Sequence, residues 1–388
     1  MGNLMNNTLV ERLTLAALAL PALMQTAQAG RTEETYNADF QYAHYEESNQ
    51  RMQADVFDFS AAAPIGKAFT ASIDLVRDTL SGASPMFNLR NAQGEVQQVL
   101  SGASIREQRD AVNASLSYAF DDVAINLGGG VSNENDYLAH YISTGLNWEL
   151  NQKMTTLSFS ASVSFDEVSK TGQPDFKRSK TSQQYLLGIT QIIDKDSLLQ
   201  SNMTFSYHHG YLSDPYKLVF IEGQGVRSDS RPEKKFQWAW LTRYVRYFKS
   251  LHNAALHADY RFYIDDWGVQ AHTAELSWQQ PIIDGWIIMP RFRYYSQDQA
   301  SFYSAVFDSS YSSNIHSSDY RLAGFGAVGG GIKLSKTFLL NGFVKDIKLQ
   351  TAFDYYQRKA SYQIGGSSKG GFDNFSFYMV TASINVKF

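Results

Sequence analysis

The 388-residue chain sets 34 Lys and Arg against 38 Asp and Glu, for a formal net charge of -4, and it has no cysteine. Without cysteine there are no disulfide staples, thiolate metal sites or cysteine nucleophiles, and an acidic chain lacks the basic face that nucleic acid requires. An apolar share of 44%, an aromatic share of 14% and a mean hydropathy of -0.31 fit a membrane barrel, where half of each spanning strand faces water and aromatic residues girdle an apolar band.

An apolar run from Leu13 to Leu23 precedes Ala27-Gln28-Ala29, the small-x-small pattern of a cleavage site. This predicts a signal peptide over 1–29, with the thin positive charge of Arg12 beside Glu11 as its weakest feature. A short periplasmic segment, 30–36, then leads into a barrel over 37–388. With only Gly30 to Tyr36 ahead of the first strand, an N-terminal plug domain is not expected. No later stretch is long and apolar enough for a spanning helix.

From Asn37 onward, period-two alternation bounded by turn residues predicts sixteen strands: 37–47, 52–63, 68–80, 106–120, 122–133, 137–150, 153–166, 180–193, 197–209, 234–249, 252–265, 269–280, 286–297, 319–335, 345–359 and 374–388. The clearest lies over 157–166, where Leu157, Phe159, Ala161, Val163 and Phe165 alternate with Ser158, Ser160, Ser162, Ser164 and Asp166. Side chains on a strand point alternately to its two faces, so one face is apolar and the other polar. Every second connection is tight, as at Asp121-Asp122 and Asn151-Gln152, whereas most of the long ones fall in the other set. That is the pattern of an all-β, transmembrane, antiparallel up-and-down barrel with short periplasmic turns, long extracellular loops and both ends in the periplasm.

The final strand places Tyr378, Val380, Ala382, Ile384, Val386 and the terminal Phe388 on one face. An aromatic terminus on such a strand is similar to the signal read by the barrel-assembly machinery, so that machinery and outer-membrane lipid are expected partners. Gly324, Gly326, Gly329, Gly330 and Gly331 cluster in one predicted strand, where glycine marks a bend or a close approach rather than a phosphate cradle.

Several motifs carry a family resemblance. They are Gly210-Tyr211-Leu212-Ser213-Asp214-Pro215-Tyr216-Lys217, Arg231-Pro232, Asp259 to Gly268, Pro290 to Gln297, and Ser81-Gly82-Ala83-Ser84-Pro85. Together they resemble an uncharacterised bacterial outer-membrane family, domain of unknown function thirty-five-seventy. The resemblance implies gene neighbours such as small lipoproteins, thioredoxin-like proteins and flavin transferases, and hence a lipoprotein or periplasmic redox partner. The sequence itself has no flavin or haem motif, and no cofactor is expected.

Alternation turns several charges toward the lumen. His257, Asp259, Arg261 and Asp265 share one face; Glu275 lies on the next strand, and Arg291 and Arg293 on the one after. Lys348, Asp354 and Arg358 have the inward parity, as do Asp74 and Asp78, while Asp319 and Arg321 need a bulge or a loop end to bring them together. Such charges either filter a solute or form a salt-bridge network that fills the lumen and tethers loops. His257 and His272 could meet across neighbouring strands, but two ligands fall short of a zinc site. Asp265-Asp266 is the nearest thing to a rim hydrolase pair, yet with Trp267-Gly268 it reads as a tight turn. Three functions stay open: a porin-like channel for small solutes, a scaffold that encloses or anchors a partner, and a rim enzyme, the last disfavoured.

Overall fold

The computed structural model describes residues 35–83, 85–100, 105–366 and 374–388. The predicted signal peptide and Gly30 lie outside these residues.

Twenty strands form among the described residues. Sixteen of them close into one antiparallel barrel, in the order β1-β2-β3-β6-β7-β8-β9-β10-β11-β14-β15-β16-β17-β18-β19-β20. The first wall runs through β1 (Asn37–Glu47), β2 (Met52–Ile65), β3 (Phe69–Gly82), β6 (Ile105–Phe120), β7 (Val123–Asn133) and β8 (Tyr137–Leu150). It continues through β9 (Thr155–Ser169), β10 (Lys177–Asp194), β11 (Ser197–Gly210), β14 (Lys234–Phe248) and β15 (Ala254–Asp265). β16 (Gln270–Pro281), β17 (Trp286–Gln297), β18 (Phe325–Leu339), β19 (Asp346–Lys359) and β20 (Phe375–Lys387) complete it. Closure comes from β20 pairing with β1, Asn37 opposite Lys387 and Glu47 opposite Phe377. An open sheet would present an edge of unpaired backbone, which hydrocarbon cannot satisfy.

The alternation acquires its meaning at the outer surface. Ile142, Leu127, Leu187 and Phe165 are each between 57% and 62% exposed, and they belong to one apolar band with Leu116, Phe292 and Ile332. A band of this extent could not face water in a monomer, so the outside is the lipid face. Near the periplasmic edge, Phe69, Tyr118 and Phe120 pack as tilted rings with centroids 4.7 and 5.4 Å apart, in the register row that runs through Val123 to Trp148 on β8, as a membrane girdle requires.

Periplasmic turns are tight. Asp121, Asn151, Gln152 and Asp284 take up positive φ, where Asp and Asn are the tolerated non-glycine residues. The other end carries structure that alternation did not reveal. Two hairpins stand outside the barrel wall: β4 (Pro85–Arg90) with β5 (Val96–Leu100), and β12 (Leu218–Ile221) with β13 (Gly225–Ser228). The strand predicted over 319–335 starts at Phe325 instead. Residues Tyr320–Leu322 form a 3-10 turn, with Asp319 capping it by accepting from the Arg321 amide.

Candidate functional site: a charged lumen under a loop lid

Two polar regions occupy the inside. The upper one is a lid built from the loops after β11 and β17, and its centre is a buried ion cluster. Arg321 forms a fork on Asp319, with Nε at 2.8 and 2.7 Å from the two carboxylate oxygens, and reaches Asp214 at 2.9 Å. Arg231 joins Asp229 at 2.7 Å to Asp319 at 2.8 Å. Lys217 donates its ammonium to the Pro85 carbonyl. Three cations and three carboxylates balance, which is what burial of charge demands.

Electrostatics in the lid follow from that burial. Desolvation pushes the Asp319 carboxyl up, but Arg321 and Arg231 override it and hold it well below the usual carboxylate range. Burial pushes the Lys217 ammonium down to about 8, against the pull of Asp319. Burial also raises Asp229, against the pull of Arg231.

The lid crosses the mouth from wall to wall. On one side, Trp267, Val269, Ala300, Tyr303, Leu322 and Ala323 make a small apolar core. On the other, the Tyr216 hydroxyl donates to Asp136 in the β7–β8 turn and accepts from the Thr171 amide at 2.9 Å. Tyr320 is buried between the guanidinium groups of Arg51, 5.6 Å from its ring centroid, and Arg358 at 5.2 Å. Below it, Tyr45, Met52, Ala54 and Leu80 form a second apolar cluster on β1, β2 and β3. Arg358 therefore stands apart from the predicted constriction. It is 3% exposed, lies 3.7 Å from the centre of the Phe325 ring and donates to the Tyr320 carbonyl at 2.6 Å.

The lower region is a belt of charge near the middle of the strands, and most of the predicted lumen residues occupy it. Asp259 accepts from Arg243 at 2.6 Å. Glu275 pairs in register with both Asp259 and Arg293, with Arg293 3.9 Å from its carboxylate. Arg291 on β17 bonds Asp354 on β19. Arg261 lies over the Tyr263 ring at 5.5 Å, and His257 faces inward beside Asp259 and Arg243. Strand parity adds four groups that were not singled out from the sequence, Asp39, Asp58, Arg243 and Lys333; the same inward-parity rule applied to their strands would have found them.

His257 and His272 do not meet, which corrects that expectation. His272 pairs in register with Phe262 on the outer face and shares a 2.7 Å hydrogen bond with the Tyr260 hydroxyl. Asp265 is engaged in turn chemistry: it accepts from the amides of Trp267 and Val269 at 3.1 and 2.9 Å and binds Lys235 at 3.0 Å. Gly268 takes the positive φ that closes the turn. Among the described residues no group of three or more His, Cys, Asp or Glu is placed to hold a metal ion.

The motifs from 210 to 217 and at 231 supply the lid cluster, and those over 259–268 and 290–297 supply the belt and its upper anchor. The sequence profile of the family described as "Protein of unknown function (DUF3570)" matches residues 10–379. The chain belongs to this family. No curated protein matches it. Among solved structures, this DUF3570 barrel is similar to a bacterial polysaccharide outer membrane secretin, at 5% identity, TM-score 0.49, covering 92% of this chain and 99% of that one. It is also similar to a BenF-like porin from Pseudomonas fluorescens Pf-5, at 10% identity, TM-score 0.46, covering 92% and 100%. The outer membrane protein OpdK from Pseudomonas aeruginosa gives 9% identity and TM-score 0.43, covering 91% and 99%. At such identities the likeness concerns barrel shape and nothing of what those proteins carry.

Proposed function

We propose that this porin-like barrel resides in the outer membrane of a Gram-negative bacterium and conducts small solutes through its mixed-charge lumen, with the folded loops narrowing the outer mouth. One observation carries the reading. Arg293 points inward, yet 52% of its side chain is exposed, and its neighbour Arg291 is 37% exposed. An inward side chain with that exposure borders open space, whereas the lid arginines Arg231 and Arg321 are only 8% and 12% exposed. A sixteen-stranded barrel is wide enough for an aqueous interior, and charged rings at a constriction select among solutes.

The test is planar-bilayer conductance of the purified protein. Discrete current steps are expected, with Arg291→Ala plus Arg293→Ala shifting selectivity toward cations; a silent protein overturns the reading. A scaffold that anchors a lipoprotein or periplasmic partner is the second reading. Its support is the β18–β19 turn on the periplasmic side, where Leu339 and Phe343 are 84% and 80% exposed. Co-purification of a small lipoprotein, abolished by Phe343→Ser, would favour it.

A further inference from the structure

We infer that the lumen is selective for small zwitterions, solutes bearing an ammonium and a carboxylate on one short frame; this rests on the channel reading above. The belt carries charges of both signs, but its unpaired charges are segregated by strand. Asp259, Glu275 and Asp354 each have an arginine beside them. On β1, β2 and β3, however, Asp39, Asp58 and Asp74 face inward, and among the described residues no ion pair joins any of them to a cation. Asp58 lies close enough to feel both of the others. On β18 and β19, Lys333 and Lys348 likewise lack an ion pair among the described residues. Asp39 senses both lysines without touching either.

The two signs meet in one register row. Lys348 stands opposite Asn385, Asn385 opposite Asp39, Asp39 opposite Ser60 and Ser60 opposite Asp74. Neighbouring strands are about 4.8 Å apart, so the backbones of Lys348 and Asp39 stand ~10 Å apart. Asn385, the residue between them, is a neutral amide that donates to Asn37 at 2.7 Å. Ammonium of a solute would lie against the carboxylates of β1–β3 while its carboxylate turns toward Lys348 and Lys333. A solute with one sign of charge meets a matching wall on only one side of this row. Across the lumen, β7 to β11 present uncharged groups at mid-height, such as Asn126, Ser160 and Asn202, which leave the field of the charged wall unopposed.

Osmotic swelling of liposomes holding the full-length protein tests this with two solutes of similar size, zwitterionic alanine and uncharged lactamide. Alanine is expected to enter several-fold faster relative to lactamide. That ratio should fall toward one in Asp39→Asn/Asp58→Asn/Asp74→Asn and, separately, in Lys333→Gln/Lys348→Gln, each first shown to be folded by heat-modifiable migration in detergent gels. Equal rates in the natural protein, or a ratio that survives both variants, overturn the inference and leave the channel standing. No swelling with either solute, together with a silent bilayer, removes the channel reading and the inference with it.

Discussion

Arg291 on β17 and Asp354 on β19 bond to each other across the intervening strand, directly over Gly331. The contact exists because Gly331 has no side chain: a Cβ there would overlap Asp354 Oδ1, approach its Cγ to 2.8 Å and crowd the Phe353 carbonyl at 2.9 Å. The glycine cluster in β18 is thus explained at this position by the close approach of a carboxylate. Gly331→Ala is expected to break the pair, destabilise the barrel by about 1–3 kcal/mol and change ion selectivity in the same direction as Arg291→Ala. Thermal unfolding in detergent and bilayer reversal potentials measure the two effects. Unchanged values in both would show that the pair is dispensable.

Arg321→Met should act on the lid and spare the wall. It takes from the fully buried Asp319 the guanidinium that forks onto both of its oxygens, and removing one partner of a buried pair costs ~3–5 kcal/mol. The loops over 211–233 and 298–324 should then become sensitive to added protease while the strands stay protected, and conductance should rise as the mouth opens. Mapping the cleavage sites by mass spectrometry distinguishes this outcome from global unfolding.

The wall was legible in the sequence and the lid was not. Each barrel strand has lipid on one face and lumen on the other, so composition alternates and even a lumenal strand as polar as Thr155–Ser169 announces itself. The lid obeys no such rule. Of its four-residue strands, Leu218–Ile221 buries only Val219 and Ile221, too few residues to display a period, and Gly225–Ser228 stays largely exposed. Asp319 and Arg321 open a predicted wall strand in which a bulge or a loop end is needed to join them, and a capped 3-10 turn ahead of β18 does so. The readable trace of the lid was chemical: Asp214, Lys217, Asp229, Arg231, Asp319 and Arg321, equal numbers of opposite charges, recur in two long aromatic loops. The belt was found by parity, whereas which charges pair across strands depended on register, which the sequence does not state. Histidines 257 and 272 were separated by that same parity.

Lys217 gives the lid a pH dependence whose sign can be worked out. Its folded value, about 8, lies below the ordinary lysine value of 10.5. Below both values the ammonium is charged in folded and open lid alike, and the burial penalty is present in full. Between about 8 and 10.5 only the open form holds the proton, so closure strengthens as pH rises through that window, by on the order of 3 kcal/mol over the whole of it. Hydrogen exchange in 211–233, corrected for intrinsic rate, should slow between pH 7 and 10. Lys217→Met should abolish the slope. A flat profile would place the ammonium in water, and a slope of the opposite sign would mean that Asp319 and Asp214 outweigh its burial.

Phe388 takes part in closing the barrel. Its amide donates to the Tyr36 carbonyl at 2.9 Å and its ring packs 5.3 Å from Phe343, so the last residue ties β20 to the segment before β1 and to the β18–β19 turn. Val380 and Ile384 on the same strand face lipid. The lost contacts of Phe388→Ala are few once the barrel has closed, and its melting temperature should drop by only a few degrees, as a loss of ~1 kcal/mol does in a chain of this size. If the aromatic ring at 388 is read during insertion, the yield of folded protein in the membrane should fall several-fold while refolding of the purified chain into detergent proceeds normally. A parallel loss in both settings would mean that the ring serves stability alone.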